Sequence, residues 1–197
     1  MLVFFKERLV LFSVPKTGTT ALQTALRDRA EIVIANPPEL KHTPLYRYNQ
    51  FFKPMFSEVS GVKMETMAVV REPIDWLGSW YRYRRRHYMK GRPNSTHEIS
   101  FDDFVLAYME SPRPGFANVG SQERFLRPPN GSAPVTHLFK YDSMHLAVRY
   151  LEERLSTNLE LKRENTSPEM SLHLSPEVEQ KFRQHHAKDF EIYASAT

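Results

Sequence analysis

Apolar residues along this chain fall into short runs, and the stretches between them alternate between helical periodicity and turn chemistry. Leu2-Val3-Phe4-Phe5 and Leu9-Val10-Leu11-Phe12 flank the charged Lys6-Glu7-Arg8, which predicts two short strands around a charged turn. Behind them Ala21, Leu22, Ala25 and Leu26 recur at helical spacing, so a helix is expected over roughly Thr19 to Arg29. Glu31 to Ala35 reads as a short strand stopped by Asn36-Pro37-Pro38. An aromatic stretch from Leu45 to Phe56 has a helical pattern, with an interruption expected at Pro54. Thr66-Met67-Ala68-Val69-Val70 is a compact apolar run of the kind that is buried on both faces of a sheet.

Pro73 stands where a first helical residue should, and the pattern continues through about Tyr88. Ser100 followed by Asp103 predicts a capped helix over Phe101 to Glu110. Ser111 to Pro134 holds five prolines and three glycines, so an irregular excursion is expected there, with a turn of helix at Gln122 to Leu126. A strand over Thr136 to Tyr141, an amphipathic helix over Ser143 to Leu155 and a C-terminal helix opened by Ser175-Pro176-Glu177 complete the pattern. The C-terminal helix is expected to bury Val178, Phe182 and Phe190. Strands alternating with helices imply an α/β fold, a three-layer sandwich with a central parallel sheet, in a single domain over residues 1–197. Ligands of such sheets bind beyond the carboxyl ends of the strands.

Composition narrows this picture. The chain is 41% hydrophobic and 25% charged, which suits a packed globular domain. It has no cysteine, which removes disulfides, thiolate metal sites and a cysteine nucleophile. The first apolar run is broken after five residues and no run approaches a bilayer span, so a cytoplasmic protein without a membrane partner is expected. A net charge of +4 favours anionic partners.

The chemistry begins at Ser13-Val14-Pro15-Lys16-Thr17-Gly18-Thr19-Thr20, between a strand and a helix. The first N–H groups of a helix lack internal partners and point at whatever lies before them. Gly18 permits close approach of the backbone, Thr19 and Thr20 add hydroxyls, and Lys16 adds a positive charge. A magnesium-triphosphate loop reads G-x-x-x-x-G-K-[ST]; here Lys16 precedes Gly18 and the upstream glycine is missing. The loop therefore suits a transferring group that needs no metal, and sulfuryl transfer fits better than phosphoryl transfer.

Pro15-Lys16-Thr17-Gly18-Thr19-Thr20 resembles the 5′-phosphosulfate loop of sulfotransferases that use 3′-phosphoadenosine 5′-phosphosulfate (PAPS). Val69-Val70-Arg71-Glu72-Pro73 with Ser79-Trp80-Tyr81 resembles that family's 3′-phosphate site, where an arginine at a strand end and a serine eight positions on clasp one phosphate. With the helix starting at Pro73, Ser79 falls about 9 Å along its axis. The resemblance implies the P-loop-NTPase-like sulfotransferase fold and a donor site of Lys16, Thr17, Gly18, Thr19, Thr20, Arg71 and Ser79, with PAP as product and no metal. It also implies a catalytic role for Lys16, and for His42 in Leu40-Lys41-His42-Thr43-Pro44 as base, although lysine and histidine are adjacent here where the cytosolic members separate them. Leu138-Phe139-Lys140-Tyr141-Asp142 resembles the segment whose tyrosine lies beside the adenine; Tyr141 is equally suited to the core.

The departures are specific. Ala21 stands where cytosolic sulfotransferases carry a tryptophan, and their R-K-G-x-x-G segment has no counterpart. The tail from Lys188 to Tyr193 is closer to compact bacterial members of the superfamily. Adenine contacts are therefore expected from Trp76, Trp80 or the Ser111–Pro134 loop. The acceptor, a small molecule or glycan, is expected to meet the Leu45–Phe56 and Pro112–Pro134 segments. The basic run Arg82-Tyr83-Arg84-Arg85-Arg86-His87 is read first as a solvated helix end, with an anionic acceptor second and nucleic acid last. Two further readings compete: a non-catalytic PAP- or PAPS-binding module, and an atypical small-molecule kinase.

Overall fold

A computed structural model describes residues 1–130, 132–161 and 170–197. Five strands form one sheet in the order β3-β1-β2-β4-β5. The charged turn at residues 5–8, closed by Arg8 with φ of 54°, folds β1 (Leu2–Phe4) back on β2 (Leu9–Leu11), and this makes β1 antiparallel to its neighbours. The other strands, β2, β3 (Ile32–Val33), β4 (Glu65–Val70) and β5 (His137–Lys140), share one direction. The expected parallel sheet is thus mostly parallel, with one reversed strand contributed by the hairpin.

Alternation along the strands divides the core. Val10, Ala68 and Val70 face a layer with Leu45, Tyr48, Phe56 and Phe125, whereas Leu9, Leu11, Met67 and Val69 face Leu22, Leu26, Ala147 and Leu151. Helix α1 (Thr19–Leu26) and, later in the chain, the helix at Met144–Leu155 cover the second face. After the short α2 (Pro38–Lys41), α3 (Leu45–Arg47) and α4 (Lys53–Ser60) lie on the first face. The aromatic stretch is not interrupted at Pro54: a π-turn over Tyr48–Phe52 shifts the hydrogen-bond register, and Pro54 enters α4 in its first turn, where a missing N–H costs nothing.

Helix α5 (Pro73–Arg84) ends four residues short of the expected Tyr88. Its last carbonyls are taken by a crossing segment: Thr96 Oγ1 donates to the Tyr81 carbonyl at 2.8 Å and the Thr96 N–H donates to Arg84 at 3.3 Å. Tyr81, within the helix, is buried, whereas Tyr88, beyond the break, is 51% exposed. Helix α6 (Phe101–Met109) starts at the expected cap, with Ser100 Oγ accepting the Asp103 N–H at 3.0 Å. Helices α7 (Gln122–Leu126) and α8 (Met144–Leu155) follow. The C-terminal helix is two helices, α9 (Pro176–His185) and α10 (Ala187–Ala194), broken at His186. Val178 and Phe182 are buried against α5 and α6, with Phe190 partly buried beside them, as expected. Among the described residues no helix is long and apolar enough to cross a membrane.

Candidate functional site

The loop after β2 is held by its own side chains. Thr17 Oγ1 donates to the Val14 carbonyl at 2.9 Å and Thr19 Oγ1 to the same oxygen at 3.3 Å. From α5, Trp76 Nε1 donates to the Pro15 carbonyl at 2.8 Å. Lys16 and Gly18 adopt left-handed φ values of 67° and 73°, which tightens the turn immediately before α1. At Gly18 a Cβ would come within 3.1 Å of the Tyr141 ring and 3.2 Å of Met144. Only glycine meets both demands, the backbone angle and the close approach.

Beyond the carboxyl ends of β2 and β4 a cavity of about 990 Å³ opens, lined by Lys16, Gly18, Thr19 and Thr20 from the loop and by Arg71 and Ser79 from the second motif. His42 and Tyr141 also line it. The segments expected to bind donor and base thus converge on one space. Thr17 differs from the expectation: it is fully buried and its hydroxyl shapes the loop, so its side chain does not reach the cavity. Trp76 is likewise committed to Pro15, whereas Trp80 lines the cavity with its Nε1 buried and without a protein partner among the described residues. Among the described residues, neither the Leu45–Phe56 nor the Pro112–Pro134 segment lines this space; they pack on the sheet and against α5 instead, and Pro38, Lys41, Tyr88, Met170 and Ser171 take the wall.

Lys16 sits among aromatics and cations. Its Nζ lies 4.5 Å from the Tyr83 ring centroid and 5.6 Å from that of Trp80. Burial, reinforced by Arg86, Arg71 and Arg82, lowers its pKa to about 8. A group so placed is ready for an anion, whose charge would offset the repulsion.

Arg71 is fixed from several sides. Its Nε donates to Asp75, one helical turn ahead on α5, and its Nη1 donates to the Lys16 carbonyl at 3.3 Å. The guanidinium lies over the Tyr141 ring at 4.4 Å. Gln122, buried in α7, accepts the Arg71 N–H through Oε1 at 2.9 Å and donates from Nε2 to its carbonyl at 2.7 Å. Asp75 also accepts from Arg82 at 3.3 Å. Sequence reasoning missed both partners. Asp75 was visible as an acidic residue four after an arginine, but Gln122 lies fifty-one positions away and carries no local signal.

His42 follows the short α2 directly. Its Nδ1 is 2.6 Å from the Ser13 carbonyl. A carbonyl only accepts, so Nδ1 carries the proton and the lone pair stays on Nε2. Burial, the largest influence, lowers the His42 pKa, which keeps the ring neutral around pH 7.

The basic run is not a uniform solvated face. Arg84 is buried and donates to the Gly115 carbonyl at 2.6 Å and the Asn118 carbonyl at 3.1 Å. Arg85 donates to Tyr81 Oη and the Thr96 carbonyl, each at 3.0 Å. Arg82 and Arg86 line the cavity. Helical spacing separates Arg82 from Arg84, two positions and about 200° apart on α5, whereas Arg85 and Arg86 lie beyond the end of that helix.

Comparison with known proteins yields one match to describe. The crystal structure of a sulfotransferase from Alicyclobacillus acidocaldarius superposes with a TM-score of 0.52 at 13% identity, covering 95% of this chain and 94% of that one. The two share the α/β fold with its mostly parallel central sheet flanked by helices. No protein-family model matches the sequence, and no curated protein matches it.

Proposed function

We propose that the chain is a sulfotransferase that moves the sulfuryl group of PAPS to a hydroxyl or amine of an acceptor. The observation that carries this reading is the convergence, in one cavity, of the Lys16–Thr20 loop, the Arg71–Ser79 pair and His42. Two separate anion grips match a nucleotide with two anionic ends, and the base lies in the same space. The likeness in fold to a solved sulfotransferase supports the same direction.

The residues fit the donor in their chemistry. The backbone at Gly18 leaves a cradle that a side chain would fill. Arg71 and Ser79 line the same cavity, to which Tyr141 and Trp80 present aromatic surface. PAPS would supply an activated sulfuryl group whose leaving group is a phosphate. Lys16 and the free N–H groups at the start of α1 would hold the 5′ end and stabilise charge on the departing oxygen. Arg71 and Ser79 would anchor the 3′-phosphate. The acceptor atom forms its bond to sulfur, the bond from sulfur to the phosphate oxygen breaks, and the acceptor proton passes to Nε2 of His42.

Two observations weigh against the competing readings. The hydroxyl beside Lys16, which a magnesium-dependent kinase loop would turn to the metal, is spent on Val14. A non-catalytic PAP module needs no neutral histidine with its lone pair kept available, yet His42 has one.

Thermal shift with PAP, PAPS and ATP-magnesium, followed by sulfate transfer from labelled PAPS to a metabolite extract, tests the proposal. Stabilisation by PAP and PAPS with labelled product is expected. Stabilisation by ATP-magnesium alone would overturn it, and PAP binding without transfer would favour the binding module.

A further inference from the structure

Helix α7 has five residues, too few to hold a place by its own hydrogen bonds. Phe125 and Leu126 bury it in the core, but apolar contact is not directional and leaves the setting of Gln122 open. That setting matters, because the Gln122 side chain grips both backbone groups of Arg71.

The first N–H groups of α7 have no partner inside the helix. Ser121 Oγ accepts that of Arg124 at 3.1 Å. The Glu123 N–H is met from sixty-six positions away, where Asp189 Oδ1 accepts it at 3.0 Å. Asp189 belongs to α10 and is only 6% exposed. Its second oxygen is engaged as well: Oδ2 accepts from His186 Nδ1 at 3.3 Å, at the break between α9 and α10. The imidazole in turn packs against Tyr108 and Phe182, with ring centroids 4.8 and 5.2 Å away. A buried carboxylate is tolerated where hydrogen bonds compensate it. Here one of those bonds stands a single residue from the amide that holds Arg71.

We propose that Asp189 is a positioning residue for Arg71: by fixing the Glu123 N–H it sets α7 so that Gln122 reaches both backbone groups of the arginine. The C-terminal helix thereby takes part in the site without lining the cavity. That Arg71 binds the donor rests on the sulfotransfer reading; that Asp189 aligns Arg71 does not.

Amide hydrogen exchange on the ligand-free protein reads the alignment, since the Arg71 N–H donates to Gln122. In Asp189→Ala, exchange at Arg71 should quicken about tenfold relative to exchange at Asp103, whose N–H is held by the cap of α6. Asp189→Leu, which fills the space that alanine empties, should behave alike. Asp189→Asn keeps an oxygen for the Glu123 N–H and should stay within about twofold of the wild type. Equal acceleration at both amides, no acceleration, a loss that asparagine does not rescue, or failure of both the alanine and leucine variants to fold would each overturn the proposal.

Calorimetry with PAP reads the consequence on folded protein. Affinity should fall about tenfold in Asp189→Ala, and no further when that change is added to Gln122→Ala, because both act through one contact. Unchanged affinity, or losses that add, would overturn the path through Gln122. If the wild type fails to bind PAP, the sulfotransfer reading falls, and the exchange comparison alone decides the role of Asp189.

Discussion

Gln122 holds Arg71 by both polar groups of its backbone, accepting the N–H at 2.9 Å and donating to the carbonyl at 2.7 Å. A strand-end arginine would otherwise leave the sheet with its peptide unpaired, because β4 ends at Val70. The amide of α7 therefore sets the direction in which the guanidinium departs. Gln122→Ala should lower PAP affinity and stability together, by about 1–3 kcal/mol in stability for two lost hydrogen bonds. Calorimetry with PAP and a denaturant titration measure the two effects, and an unchanged Kd would remove Gln122 from the positioning of Arg71.

Gly18→Ala forces a side chain into a left-handed position with φ of 73° and against Tyr141 at 3.1 Å. The backbone alone should cost about 1–2 kcal/mol. Displacement of Tyr141, on which Arg71 lies, should weaken PAP binding further. A lower Tm with unchanged PAP affinity would limit the glycine to a structural role.

Lys16 makes the stability of the free protein depend on pH in the alkaline range. Its folded pKa of about 8 lies below the ordinary value of 10.5. Below about pH 8 both folded and unfolded chains hold the proton, and folding bears the full cost of a buried ammonium. Between about 8 and 10.5 only the unfolded chain is protonated, so this group's contribution to stability should rise with pH across that window. PAP would keep the ammonium charged, so its binding above pH 8 should take up a proton. Calorimetry in buffers of different ionisation enthalpy reads this uptake, which should vanish in Lys16→Met.

His42 and Lys16 together should give kcat/KM a bell-shaped pH profile. Activity should rise as His42 loses its proton, at a pH below the ordinary 6.5, and fall as Lys16 loses its own near 8. His42→Ala should lower kcat by about 10²–10⁴-fold and abolish the acid limb. An acid limb that persists in this variant would assign the base to another residue.

Arg84 supplies the contrast within the basic run. It is buried and donates to the Gly115 and Asn118 carbonyls, and it is not among the residues that line the cavity. Arg84→Ala should cost about 3–6 kcal/mol if both charged hydrogen bonds count in full. PAP affinity, measured on the folded fraction, should stay near that of the wild type.

Local chain geometry explains how much of this molecule could be read from its residues in order. Strand, loop and helix follow one another within about ten positions at Leu9–Thr20 and at Val69–Ser79, so the two segments that meet in the cavity were legible where periodicity and turn chemistry act over the same short range. The buried run at 66–70, the cap at Ser100 and the short helix at Gln122 were legible for the same reason. Tertiary contact decided the rest. Thr96 ended α5 before Tyr88, and Gln122 aligned Arg71. The Ser13 carbonyl chose the tautomer of His42, and the loops around Gly115 and Asn118 turned one arginine of the basic run inward while Arg82 and Arg86 met the cavity. Each outcome depends on which distant group satisfies a polar atom, and hydrogen-bond partners drawn from 11 to 51 positions away leave no mark on the local pattern.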